Sequence, residues 1–164
     1  MPPTTRIVVA DRSEARFYDL VRRNAPLRAA GVLANPAARQ HDRDLQSDRP
    51  GRVFDRAPVT GQRRGAVSRH GTSGERSARK HEAERFARRV VRELGKAAKD
   101  GRFDRLVLVA APAFLGLLRA ALPKSLKPTL AATVAKDLVH EPENSLRSKL
   151  PAEAFRRPRA GSGS

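Results

Sequence analysis

A chain of 164 residues with 34 Lys and Arg against 17 Asp and Glu carries a formal net charge of +17. The length suits one domain with a real core and leaves no room for two comfortable ones, while so lopsided a charge points to a polyanionic partner. Having no cysteine, the chain is excluded from disulfide, thiol and sulfur-ligated zinc chemistry, and no apolar run approaches the roughly 20 residues of a membrane-spanning helix.

The N-terminal apolar run is only Ile7 to Ala10 before charges resume. A secretory signal needs about 7 to 15 apolar residues, so a cytoplasmic protein is expected. Arg6 to Ala10 and Arg16 to Val21 read as strands joined at Asp11 to Glu14, whose turn formers suit a hairpin. Leu27 to Leu33, closed by Asn35 and Pro36, reads as a third strand and completes an antiparallel meander. The pattern then dissolves into Arg, Asp, Gly and Pro. A long basic loop is expected across residues 35–77, with HDRDLQSDRPGRVFDR at its densest, His41 to Arg56. Connections longer than about 12 to 15 residues without structure of their own are usually functional or disordered.

Order returns at Ala83. Phe86, Ala87, Val90, Val91, Leu94, Ala97 and Ala98 keep a helical spacing, and Gly101 stands where a left-handed cap belongs. The opposite face is basic, with Arg85, Arg88, Arg89, Arg92, Lys96 and Lys99. Arg105 to Ala110 is a continuous apolar run, as in a strand buried on both faces, and Pro112 opens a helix through Leu122. Leu130 to Lys136 reads as a further strand, so strand, helix and strand form a crossover with a parallel pair. Asn144 to Leu150 is a short helix and residues 151–164 a disordered basic tail. The expected fold class is α/β: one three-layer-like domain over residues 1–150 with a mixed sheet, an antiparallel meander plus a parallel βαβ unit, and the inserted Arg-rich loop.

The charge is concentrated where it can act. Arg49, Arg52, Arg56, Arg63, Arg64, Arg69, Arg76, Arg79 and Lys80 are candidates to neutralise RNA phosphates, with Arg88 on the adjoining helix. Phe54 is the loop's one aromatic residue, so base stacking is not supported and recognition of structured RNA or the ribosome by shape and backbone fits better. Asp42, Asp44, Asp48 and Asp55 compete for the same arginines, and the DRPGR stretch can be structural while the later one binds. One alternative is a metal-dependent nuclease, in which Asp11 and Asp137 would meet if their strands were parallel neighbours, helped by His41, Asp44 and Asp48. Another is an interaction module docking on an acidic protein. His41, His70, His81 and His140 lack metal-ligand spacing, and Ala110-Ala-Pro-Ala-Phe114 is no phosphate cradle. No catalytic motif, cofactor or resident metal is therefore expected.

IVVADRSEARFYD, HDRDLQSDRPGRVFD, FARRVVRELGKAAKDGRFDRLVLVAAPAFLGLLRAAL and VAKDLVH, in that order from Arg6 to about Leu150, resemble the bacterial host attachment protein family. The resemblance implies a cytosolic α/β domain similar to the middle domain of the eukaryotic and archaeal release factor. Those domains carry a Gly-Gly-Gln loop for peptidyl-tRNA hydrolysis, whereas this chain has Thr60-Gly61-Gln62, which departs from that pattern. The resemblance links the chain to attachment to host cells, but a direct adhesive role fits poorly with Met1 to Ala10, so an indirect, regulatory route is expected.

Overall fold

The computed structural model describes residues 3–40 and 64–156, with 64–72 as backbone alone. Strands β1 (Thr5–Ala10), β2 (Glu14–Leu20) and β3 (Arg28–Ala34) are followed by a helical stretch α1 at residues 36–40. Then come helix α2 (Arg64–Lys99), strand β4 (Arg105–Val109), helix α3 (Pro112–Ala121), strand β5 (Leu130–Val134) and helix α4 (Glu143–Lys149). The five strands form one mixed sheet in the order β3-β2-β1-β4-β5, in which the meander is antiparallel and β1, β4 and β5 run parallel. The expected α/β class, meander and parallel crossover unit are all present.

The centre of the sheet is dry. All six residues of β1 are buried, and so are Leu106 to Val109 of β4, which explains why both read as unbroken apolar runs rather than alternating ones. On one face Val8, Ala10, Phe17, Leu106 and Leu108 pack against α2 and α3 through Phe86, Val90, Leu94, Phe114 and Leu118. On the other, Ile7, Val9, Tyr18, Val107 and Val109 meet Leu138, Val139, Leu146 and Leu150, giving a third layer. That layer includes Ala154, fully buried in a 3-10 turn at Ala152–Phe155. The expected disordered tail therefore begins too early: Phe155 lies beneath the Arg147 guanidinium, 4.9 Å from it, and pins the chain there.

Arg6 is the one buried cation of β1. Its cross-strand neighbour Asp19 accepts from Nε at 2.5 Å and from the second guanidinium nitrogen at 3.1 Å, and the Phe103 ring lies 5.4 Å from the guanidinium carbon. Desolvation of the charge is offset by a forked pair and a ring face.

The main correction concerns the expected loop at 35–77. Residues 36–40 are helical and α2 starts at Arg64, so at least its last fourteen positions, 64–77, belong to the helix. Gly65, Gly71 and Gly74 suggested a break, and no apolar row runs through this stretch. Extension from the packed half needs neither, because each residue added to an existing helix gains a hydrogen bond without a new nucleus. Residues 41–63 lie outside the described residues.

Helix α2 ends in the expected way. Gly101 has φ of 69°, its N–H donates to Ala98 O and that of Arg102 donates to Ala97 O, the paired bonds of a Schellman cap. A side chain at 101 would meet no atom within 4 Å, so the demand for glycine is purely conformational. Gly101→Ala should lower stability by about 1 kcal/mol, visible as a melting-temperature loss of roughly 2 to 4 °C, and Gly101→Asn should lose less.

Glu141, at the entry to α4, accepts from Lys149 Nζ at 2.5 Å and from Ser145 Oγ at 3.2 Å. The Lys149 hydrogen bond is the main cause holding its carboxyl below the ordinary Glu range, against a smaller desolvation effect, with Ser145 and the Lys149 charge adding to the lowering. A carboxyl depressed in the folded state contributes stability above its unfolded pKa and loses it as pH falls through the folded value. Denaturant titrations across the acid range should therefore show a small loss that is absent in Glu141→Gln.

Candidate polyanion-binding site

Two groups of charged residues stand out, and strand direction relates them. β1, β4 and β5 all point their carboxyl ends to the same edge, and α2 returns from that edge to the start of β4. At the opposite, amino edge the Thr4 N–H donates to Asp104 Oδ2 at 3.0 Å and the Asp104 N–H to Thr4 O at 2.9 Å, fixing where α2 must deliver the chain.

Helix α2 is much longer than the sheet is tall. Its 36 residues span about 54 Å, whereas strands of five to seven residues span about 17 to 23 Å. The side chains that pack on the sheet run from Ala83 to Ala97. Residues 64–82 therefore project beyond the carboxyl edge.

On this projection Arg76 and Lys80 are exposed, and Arg79 is half-buried, with its Nε withdrawn from solvent and lacking a hydrogen-bond partner. Further down, Arg85, Arg88, Arg89 and Arg92 are exposed on the face away from the sheet. Over its length α2 has eleven Lys and Arg against four Glu. Among the described residues Arg88 lies 3.9 Å from Glu84 and Lys96 2.9 Å from Glu93, while Arg76, Arg79, Lys80, Arg85 and Arg92 form no ion pair. Arg85 and Arg92 are further exposed cations on the basic face that the helical spacing announced, outside the candidate set.

Of the other candidates, Arg64 and Arg69 lie on the backbone of α2, with no side-chain geometry described. Arg49, Arg52, Arg56 and Arg63, with Phe54, Gln62 and the competing aspartates, lie outside the described residues.

The second group sits at the carboxyl edge itself. Asp11 Oδ1 accepts from the Ser13 N–H at 2.7 Å, Ser13 Oγ at 2.8 Å and the Glu14 N–H at 2.9 Å, closing the β1–β2 turn. Its Oδ2 lies 3.8 Å from His140 Nε2, and Glu14 Oε1 lies 3.8 Å from His140 Nδ1. Glu14 is buried and also meets Arg16 at 3.4 Å and Arg39 at 3.5 Å. Asn35 Nδ2 donates to Arg12 O at 2.8 Å, and the Asn35 N–H to Ser13 O at 2.7 Å. Three distant segments converge here. Sequence reasoning missed Glu14 and His140 as partners because 126 positions of chain separate them, with no motif spanning that gap.

The arrangement proposed for a two-carboxylate metal site is not formed. β1 and β5 are parallel but β4 lies between them, so Asp11 and Asp137 come from strands about 10 Å apart. Asp137 is exposed, one oxygen of Asp11 is committed to the turn, and His41, Asp44 and Asp48 lie outside the described residues. Among the described residues no group of three His, Cys, Asp or Glu side chains is disposed to hold a metal ion. Nor, among them, is any helix long and apolar enough to cross a membrane. Phe17, Tyr18, Phe86, Phe103 and Phe114 are buried and Phe155 is half-buried, so among the described residues no exposed ring offers a stacking platform.

No curated protein matches the chain. A solved structure described as an archaeal protein shares 15% sequence identity with a TM-score of 0.42, covering 93% of this chain and 36% of that one. Residues 6–150 match the family described as "Protein required for attachment to host cells", well over half of the sequence, and the chain belongs to that family.

Proposed function

We propose that this member of the host attachment family binds structured RNA, the ribosome being the largest such target, and affects attachment to host cells indirectly through that binding. The observation that carries the reading is the set of cations on the projecting half of α2, Arg76, Arg79 and Lys80, which form no ion pair among the described residues, on a protein of net charge +17. An arginine already paired with a carboxylate must give up that partner to take a phosphate; these do not. With no exposed ring among the described residues, recognition rests on the phosphate backbone and on shape, as for duplex RNA. Arg49, Arg52, Arg56, Arg63, Arg64 and Arg69 would extend the same positive surface.

The test is fluorescence anisotropy with a labelled RNA hairpin across a salt series, paired with sedimentation of lysates. Neutralising four or five phosphates should give a slope of log affinity against log salt of about −4, and comigration with ribosomes should be lost at high salt or after RNase. A flat salt dependence, or comigration that survives both treatments, would rule the reading out and favour docking on an acidic protein instead.

A further inference from the structure

Helix α2 has two basic faces, and they differ in what they overlook. On the half packed against the sheet, the cations lie opposite the core and face bulk solvent. On the projecting half, the heptad rows reverse that arrangement. Arg76 stands one heptad before Ala83, Val90 and Ala97; Arg79 stands one before Phe86; Lys80 stands one before Ala87 and Leu94. All six of those later residues are buried against the sheet layer. A straight helix drifts only about 20° per heptad, so Arg76, Arg79 and Lys80 continue the sheet-facing row past the point where the sheet ends. They look down on the carboxyl edge.

That edge is where the chain changes direction across the sheet. After β1 the path turns to β2, and after β4 it turns the other way to β5, so the crevice at the ends of β1 and β4 is a topological switch point, the usual place for ligands in open α/β sheets. The carboxylates there are occupied: Asp11 by its turn and His140, Glu14 by Arg16, Arg39 and His140. Arg39, about half-exposed at 54% of its side chain, adds a cation to the rim. Glu75 on the helix and Asp137 after β5 are the exposed acids nearby in the chain order. Arg79 supplies a second, independent sign. It is the half-buried member of the row, and its Nε has no acceptor, a costly state for a guanidinium donor.

We infer that the sheet-facing side of the projecting half of α2, above the carboxyl edge, receives the phosphate backbone of duplex RNA, with Arg79 as its central ligand and Arg76 and Lys80 flanking it. The inference rests on the RNA-binding reading and narrows it to one face of the helix. The outward row acts only as a diffuse field.

The two faces are separable by substitution on the full chain, with melting temperatures confirming that each variant folds. Against the same RNA hairpin, Arg76→Gln with Lys80→Gln should weaken binding at least tenfold and flatten the salt slope by about 2, one per lost phosphate contact. Arg85→Gln with Arg92→Gln should cost less than about threefold and leave the slope within about 0.5 of the starting value. Arg79→Lys keeps the charge but loses the forked geometry, so it should weaken binding by about tenfold, where Arg89→Lys on the outer face should not. Equal losses from both pairs, or a larger loss from the outer pair, would overturn the sheet-facing site while leaving RNA binding by α2 intact. A wild-type protein that does not bind the hairpin at all would bring down both.

Discussion

Water reaches neither face of the β1–β4 pair, and that condition organises everything built around it. Both strands are parallel neighbours at the middle of the sheet with helices on each side, so each must be apolar throughout, and any charge inside must be matched. Arg6 is the exception that proves costly: it is tolerated because Asp19 stands directly across the ladder in β2 and Phe103 supplies a ring face. Buried pairs of this kind contribute little net stability, yet removing one partner leaves an uncompensated charge. The pair thereby ties the register of the hairpin to the core.

A second constraint follows from length. The sheet can bury only as much helix as its strands are tall, about 20 Å, and α2 is more than twice that. The surplus has to project, and because α2 returns toward the start of β4 it projects at the carboxyl edge. Its residues follow suit: the sheet-facing row changes from Ala83, Phe86 and Val90 to Arg76, Arg79 and Lys80 at the height where the sheet gives out. Tertiary packing and charge placement are thus two consequences of one mismatch.

The convergence of Asp11, Glu14, Arg39 and His140 works differently. It joins the β1–β2 turn, the segment after β3 and the segment after β5 at long ion-pair distances, from 3.5 to 3.8 Å. Leu138 and Val139, buried in the second core, hold the His140 backbone in place. At such distances the contacts act as a clip that ties the three segments together across the edge.

Much of this was legible in the chain. The apolar run Leu106 to Ala110 meant a strand buried on both sides, Ile7 to Ala10 meant a strand of the N-terminal hairpin, the Phe86 to Ala98 spacing meant a packed helix, and Gly101 marked its end. The family could also be read from ordered motifs. What escaped was whatever depends on partners far along the chain or on structure propagated without an apolar signal. Residues 64–82 form helix by extension from the packed half, Ala154 is held by a layer that its own composition does not announce, and β4 separates Asp11 from Asp137. Local periodicity records which side of an element is buried because each residue pays or gains solvation where it stands. Which cations overlook the edge was decided by strand order and helix length alone, since those fix directions in space that no neighbouring residues encode.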